Sequence, residues 1–335
     1  MREYYKTELG KLLKGDCLIE SDNIEDGSVD LILTDLPYGT VKGMGGEMEK
    51  YKHLSNSTWD VVIDTHKIMQ IANRILRKNG KMILFAQQPF TTELINKAIP
   101  NLPFNYTMTW EKDHFANCLV AKKAPVSYAE DILVFSKNHQ KHDFEGFHPL
   151  RIYFKKIMDF IGLNLKQINI KLGHRRAEHT FYIDSTQYGL CTEKTYLELI
   201  DIFNIDKVNE FKNFAELKKI DTKYRTDLLR KMNDEFPSTF NLWEGKKYKS
   251  NILKYKKDYD GYHSTQKPVL LIEDLIKTFS NENDLIVDFT SGSGTLAVAC
   301  ENTNRRWICI EKDEDSEGNS LGYCDITVDR LKELK

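Results

Sequence analysis

The 335-residue chain contains no apolar run near the roughly 18 residues that a membrane-spanning helix requires. Its opening stretch, "MREYYKTELGKLLKGD", lacks the apolar centre of a secretory signal. These absences argue against a helical membrane protein and lead to the expectation of a cytoplasmic one with no membrane partner. The six cysteines (Cys17, Cys118, Cys191, Cys300, Cys309 and Cys324) include no CxxC pair. Neither a disulfide framework nor a metal site is therefore expected, and runs such as "WICIE" suit buried, reduced thiols. Charge of one sign is also missing, since 48 basic and 50 acidic residues leave a net -2. That balance neither demands nor excludes nucleic acid, because binding depends on a local basic face. Internal repeats and low-complexity tracts are absent.

What is present is a core: 41% of residues are hydrophobic, and the length suggests about two domains. Residues 1–137 alternate short apolar runs with helical periodicity, as α/β layers do. "VDLILT" and "KMILFA" read as strands, with the amphipathic helix "VVIDTHKIMQIANRILRKNG" between them, closed by Gly80. "FTTELINKAI" reads as another helix, and "FNYTMTWE" and "DILVFS" as further strands. From about 138 to 260 the pattern turns basic, aromatic and helical, with no buried parallel strand, which predicts an insertion. Residues 261–335 return to α/β alternation through "PVLLIEDLIKTFS", "DLIVDF", "GTLAVACENT", "RRWICIE" and "DITVDRLKELK".

Two stretches carry chemistry. In "LILTDLPYGT" an apolar run stops at Asp35, followed at once by Leu36, Pro37, Tyr38 and Gly39. Asp, Pro and Gly are ordinary strand terminators. The same residues also suit a pocket for a flat ring, stacked on Tyr38 and hydrogen-bonded at its edge by Asp35. In "DLIVDFTSGSGTLAVACENTNRRWICIE" a strand, a glycine loop, a helix and a second strand ending in Glu311 follow in order. Glycines there let the backbone approach a ligand, and an acid at the next strand end accepts ribose hydroxyls. "GSGTLA" satisfies the dinucleotide pattern GxGxxA, so a nicotinamide- or flavin-dependent oxidoreductase is a rival. Against it, Asp288 at the strand tip would repel a pyrophosphate. The 24 residues after Glu311 are also too few to complete a doubly wound sheet. The missing strands must then come from the N-terminal part, which places "TDLPYG" and "DFTSGSG" side by side at the sheet's carboxyl edge.

This arrangement resembles the amino-group DNA methyltransferases of the permuted β class. The family's D/S/N-P-P-Y/F, H-P-T-Q-K-P and D-P-F-x-G-S-G-T motifs stand here, in that order, as "DLPY" (35–38), "HSTQKP" (263–268) and "DFTSGSGT" (288–295). Leu36 and Ser264 replace family prolines, and the phenylalanine of the third motif is offset. The resemblance implies a circularly permuted, mostly parallel, doubly wound α/β sheet that uses S-adenosylmethionine, with an inserted, mainly helical target-recognition region. It assigns catalysis to Asp35, Pro37 and Tyr38, with Asp at the first position pointing to adenine N6 and the cytosine N4 amine as the alternative. Asp35 and a backbone carbonyl of the Leu36–Pro37 turn would accept the amine's hydrogens, and Tyr38 would stack on a base flipped from the duplex.

For the cofactor, the resemblance implies Asp288, Phe289, Ser291, Gly292, Gly294 and Thr295 around the methionine part and Glu311 at the ribose. Lys267 and Thr265 would meet the carboxylate end, Asp16 would reach the adenine amine, and His263 would shape its loop. Double-stranded DNA is the expected partner. The basic insertion should read it through Arg175, Arg176, His179, Thr186 and Gln187, on a pattern reminiscent of helix-turn-helix motifs broken at Gly162 and Gly173. Each of these also suits a solvated surface. A restriction endonuclease would be the functional partner, a monomer and a homodimer are both compatible, and Leu36 leaves open a catalytically dead DNA-binding regulator.

Overall fold

The structure, a computed structural model, describes residues 3–39, 61–116, 121–138, 148–183, 185, 187–262, 265–315 and 317–334. The chain divides into two compact units, Met1–His139 with Ser238–Lys335, and Gln140–Pro237.

The first unit is built on nine strands: β1 (Glu3–Lys6), β2 (Gly10–Lys14), β3 (Val29–Thr34), β4 (Leu76–Ala86), β5 (Phe104–Ala116), β6 (Ser127–Ser136), β7 (Ile252–Lys254), β8 (Leu285–Asp288) and β9 (Arg306–Glu311). They form one sheet in the order β1-β2-β9-β8-β3-β4-β6-β5-β7. The central strands β2, β9, β8, β3 and β4 run parallel, and β6 turns antiparallel beside β4. Parallel strands are covered on both faces, which explains why their sequences read as continuous apolar runs. Leu31, Leu33, Ile83, Phe85, Ile132 and Val134 face one core, together with Leu271, Leu275 and Phe279 of the helix Val269–Phe279 and Leu296 of the helix Thr295–Thr303. Ile32, Met82, Leu84, Leu133 and Val287 face the other, with Ile68, Met69 and Ala72 of the helix Thr65–Ile75. Each such side chain contributes about 1.5–3 kcal/mol by leaving water.

The helix expected to run to Gly80 stops at Ile75, and β4 begins at Leu76. Leu76 pairs with Val29, and the Asn79 amide donates to the Lys137 carbonyl at 3.1 Å, so strand pairing overrides the helical period. Residues 238–260, assigned to the insertion on their basic composition, belong to the sheet unit. β7 extends the sheet parallel to β5, and Leu253 is buried in the core. The composition misled because lysines can be buried when paired: Lys249 Nζ lies 2.5 Å from Asp274 Oδ1, with both side chains almost fully covered.

The second unit is helical: Leu150–Ile161, Leu165–Leu172, Glu193–Phe203 and Phe214–Glu235. Its own core gathers Phe154, Ile157, Ile168, Phe181, Tyr196 and Leu199. Gly162 and Gly173 end the first two helices with φ of 66° and 72°, left-handed values that suit glycine. Asn164 opens the second helix with a reciprocal cap on Gln167. No described helix of either unit is long and apolar enough to cross a membrane.

Candidate active site

β3 and β8 pair in the centre of the sheet, Leu31 with Ile286 and Ile32 with Val287. The chain leaves β3 toward β4 on one side and β8 toward β9 on the other, so a crevice opens at their carboxyl ends. Thr34 Oγ1 donates to Asp288 Oδ1 at 2.7 Å, and Thr290 Oγ1 donates to the Asp35 carbonyl at 3.0 Å. The two chemistry-bearing turns are thereby stitched together. Leu36 is 2% exposed and packs in the core, so the residue that departs from the family pattern fills space while Pro37 and Tyr38 keep the turn.

One cavity of about 600 Å³ runs along this edge. At one end lie Asp35, Pro37 and Tyr38, and beside them Lys267, Lys112 and Glu130. Glu130 is 5% exposed and ties the cluster together. Its Oε1 lies 3.0 Å from both Tyr38 Oη and Lys267 Nζ, and its Oε2 lies 2.5 Å from Lys112 Nζ. Asp35 accepts from the Tyr38 hydroxyl at 2.9 Å on Oδ1 and from Lys267 on Oδ2. The Lys267 ammonium also lies over the Phe85 ring, and the Tyr38 ring packs 5.2 Å from that of Phe90.

Two carboxylates and two ammonium groups balance in charge, but they do not share equally. Burial acts to raise the Glu130 carboxyl, yet Lys267 and Lys112 outweigh it and hold it at about 2. Burial pushes the Asp35 carboxyl up, Lys267 opposes this, and the negative Glu130 adds to it. Asp35 is thus the carboxylate of the pair that protonates first. Burial disfavours the Lys267 charge, but Asp35 and Glu130 hold that ammonium above its ordinary range. Burial and the two carboxylates keep the Tyr38 phenol protonated.

The other end of the cavity is lined by the glycine loop and its surroundings: Asp16, Thr265, Asp288, Phe289, Ser291, Gly292, Thr295 and Glu311. Burial pushes the Asp288 carboxyl up to about 7, against the Thr34 hydroxyl and the Thr290 amide that stabilise its charge. A cationic ligand group would restore that charge. Glu311 Oε2 accepts from the Gly292 amide at 2.7 Å and Oε1 from the Asp313 amide at 3.1 Å, which fixes the carboxylate at the end of β9. Asp16 caps the short helix Cys17–Glu20 by accepting from the Leu18 amide at 2.9 Å. The buried Ser291 Oγ and Gln266 Nε2 find no hydrogen-bond partner among the described residues, and both residues line the cavity. Orphaned buried polar atoms at a cavity wall are what a bound polar ligand would satisfy. An adenosyl-methionine cofactor fits this donor and acceptor set.

Lys267, expected at the cofactor's carboxylate end, lines the cavity and is held between Asp35 and Glu130. Gly294, expected to line the ligand, is not among the residues that line the cavity. Its φ is 76°, and a Cβ there would lie 2.3 Å from Thr327 Cγ2, so it serves close packing at the helix start. His263 and Thr186 lie outside the described residues.

In the helical unit, Arg175 forks onto Glu178 at 2.8 and 2.6 Å, and Arg176 onto Glu198 at 3.0 and 3.2 Å. Both guanidinium groups remain more than half exposed. The His179 ring nitrogen Nδ1 meets the Gln187 carbonyl at 3.0 Å.

Sequence reasoning missed Glu130 and Lys112, although a signal existed. Met108, Trp110 and Lys112 alternate along β5, and Glu130, Ile132 and Val134 along β6, with the apolar members buried in the same core as Leu31 and Leu33. A charged residue in phase with core positions points inward with them.

A family model described as DNA methylase matches residues 29–317. Among curated proteins, the Type II methyltransferase M.HpaI of Haemophilus parainfluenzae is 22% identical over 326 residues, covering 96% of this chain and 74% of that protein. The DNA adenine methyltransferase YhdJ of Escherichia coli is 24% identical over 312 residues, covering 92% and 80%. Among solved structures, the cytosine-N4-specific PvuII DNA methyltransferase covers 99% of this chain and 95% of its own, at 13% identity and a TM-score of 0.49.

Proposed function

Because the chain belongs to the DNA methylase family, we propose that it methylates the exocyclic N6 amine of adenine in duplex DNA, with Asp35 as the group that orients the amine. The observation that carries this reading is the placement of Asp35 and the glycine loop in one cavity, at the paired ends of β3 and β8. S-adenosylmethionine, when bound, supplies the electrophilic methyl group. Its methionine part is assigned to Asp288 and Ser291, and its ribose to Glu311.

The amine of adenine is a weak nucleophile, since its lone pair is delocalised into the ring. Asp35, when ionised, is an acceptor only. Hydrogen bonds from the amine to Asp35 and to a backbone carbonyl of the following turn draw the nitrogen toward tetrahedral geometry and aim its lone pair along the line of transfer. Asp35, hydrogen-bonded to the amine, would take the surplus proton and pass it to solvent once that nitrogen has received the methyl group of a bound S-adenosylmethionine, which is left as the neutral thioether. Tyr38 gives the extruded base a face to stack on. Adenine over cytosine is supported by Asp at the first position of the tetrapeptide and by the naming of YhdJ as an adenine methyltransferase.

The helical unit, Gln140–Pro237, is assigned to reading DNA through Arg175, Arg176, His179 and Gln187. A restriction endonuclease of matching specificity is its proposed functional partner. Incubation of unmethylated DNA with enzyme and labelled cofactor, followed by nucleoside digestion and mass spectrometry, tests the reading. N6-methyladenine is the expected product, whereas N4-methylcytosine would reassign the base.

A further inference from the structure

The Asp35 carboxylate, on which the proposed function rests, is already occupied by two donors, Lys267 and Tyr38. An incoming amine needs the same oxygens. Both donors also touch a second acceptor: Lys267 Nζ and Tyr38 Oη each lie 3.0 Å from Glu130 Oε1. We propose that Glu130 is a positioning residue that takes over the Lys267 ammonium and the Tyr38 hydroxyl hydrogen when the base amine displaces them from Asp35.

The geometry suits such an exchange. Tyr38 has one hydroxyl hydrogen and so donates to a single carboxylate at a time. Its distances to Asp35 and Glu130, 2.9 and 3.0 Å, are nearly equal, so rotation about one bond moves the hydrogen across. Lys267 has three N–H donors and already spans both acids. Its ammonium is a hydrogen-bond donor to Asp35, as the amine would be, and so competes with it. A buried cation released from one partner is costly unless another receives it. Glu130, anchored from behind by Lys112 at 2.5 Å and held ionised, is that receiver. Both groups released by Asp35 thus keep Glu130 as an acceptor within reach.

Glu130→Gln keeps the shape of the side chain but removes the charge that draws Lys267 away from Asp35. Methyl transfer should fall about 100-fold, with S-adenosylmethionine affinity close to that of the wild type; the melting temperature should fall, because two buried ammonium groups lose a charged partner, so turnover is compared well below it. Glu130→Asp should recover part of the loss. The decisive variant is Glu130→Gln combined with Lys267→Met, which removes the competitor as well as the receiver. Measured at alkaline pH, where Asp35 is ionised without help from Lys267, the double variant should transfer methyl groups faster than Glu130→Gln alone. Its acid limb should lie about 1–3 pH units higher than that of Glu130→Gln, because Asp35 has lost its neighbouring cation.

Normal turnover in Glu130→Gln, or a double variant no faster than Glu130→Gln at alkaline pH, overturns the proposal. Asp35→Ala is run alongside. If it retains turnover, the assignment of Asp35 itself fails; if it is inactive while the Glu130 variants behave as wild type, only the role of Glu130 fails.

Discussion

At the scale of single residues, the account turns on which groups are charged. Ionised Asp35 offers an amine nothing but acceptors, and Asp35→Ala should lower methyl transfer by about 10²–10⁴-fold while leaving cofactor affinity nearly unchanged. Parallel measurements of turnover and cofactor binding check both halves. Tyr38→Phe keeps the ring but deletes a hydroxyl that bridges two carboxylates. Loss of a hydrogen bond to a charged group costs about 1.5–3 kcal/mol, so a clear drop in turnover is expected even with stacking intact. Asp288, with its carboxyl pushed by burial up to about 7, gives a pH dependence. Its pKa is raised from 3.8, so the protonated form favours the fold, and its contribution to the stability of the ligand-free protein declines as pH rises from about 4 to about 7. A cationic ligand prefers the ionised form, so S-adenosylmethionine affinity should rise over the same range. Titration calorimetry on wild type and Asp288→Asn checks this, the variant being expected to lose the dependence. Glu130 has the opposite sign: its pKa is depressed to about 2, so its contribution is present above the usual glutamate range and is lost as pH falls toward 2.

At the scale of elements, the glycine loop and the turn after β3 are useful because a paired strand holds each of them. Gly294→Ala would force a Cβ into Thr327 at a φ of 76°, and should destabilise the protein by about 1–3 kcal/mol. A thermal melt with and without cofactor would detect it. The apolar runs of β3, β4, β8 and β9 were legible because central parallel strands exclude polar residues from both faces. The adjacency of Asp35 and Asp288 followed from counting the strands that the glycine-loop segment lacked. Leu76 was not legible, since its position continues the period of the helix Thr65–Ile75 and only its pairing with Val29 makes it a strand. The Lys267 ion pairs were hidden for another reason: no local pattern shows which of several distant acids a buried lysine will meet. Glu130 was legible in principle, as an acid in phase with Ile132 and Val134, but an apolar run draws the eye past its first polar member.

At the scale of the molecule, the chain has a sheet unit, to which the reaction is assigned, and a helical unit proposed to read DNA through its exposed Arg175 and Arg176. If that division of labour holds, neutralising Arg175 and Arg176 together should weaken DNA binding and leave cofactor affinity alone. The slope of its salt dependence should fall by roughly one unit for each phosphate that the protein no longer neutralises. Binding isotherms at several salt concentrations would show it, and impaired cofactor binding with unchanged DNA affinity would contradict it. The central claim, that Asp35 orients an adenine amine for methylation, is tested most directly by comparing wild type with Asp35→Ala on unmethylated DNA, with the nucleosides resolved by mass spectrometry. The account predicts N6-methyladenine from the wild type and almost none from the variant, with cofactor binding retained in both. Equal yields from the two proteins would contradict it.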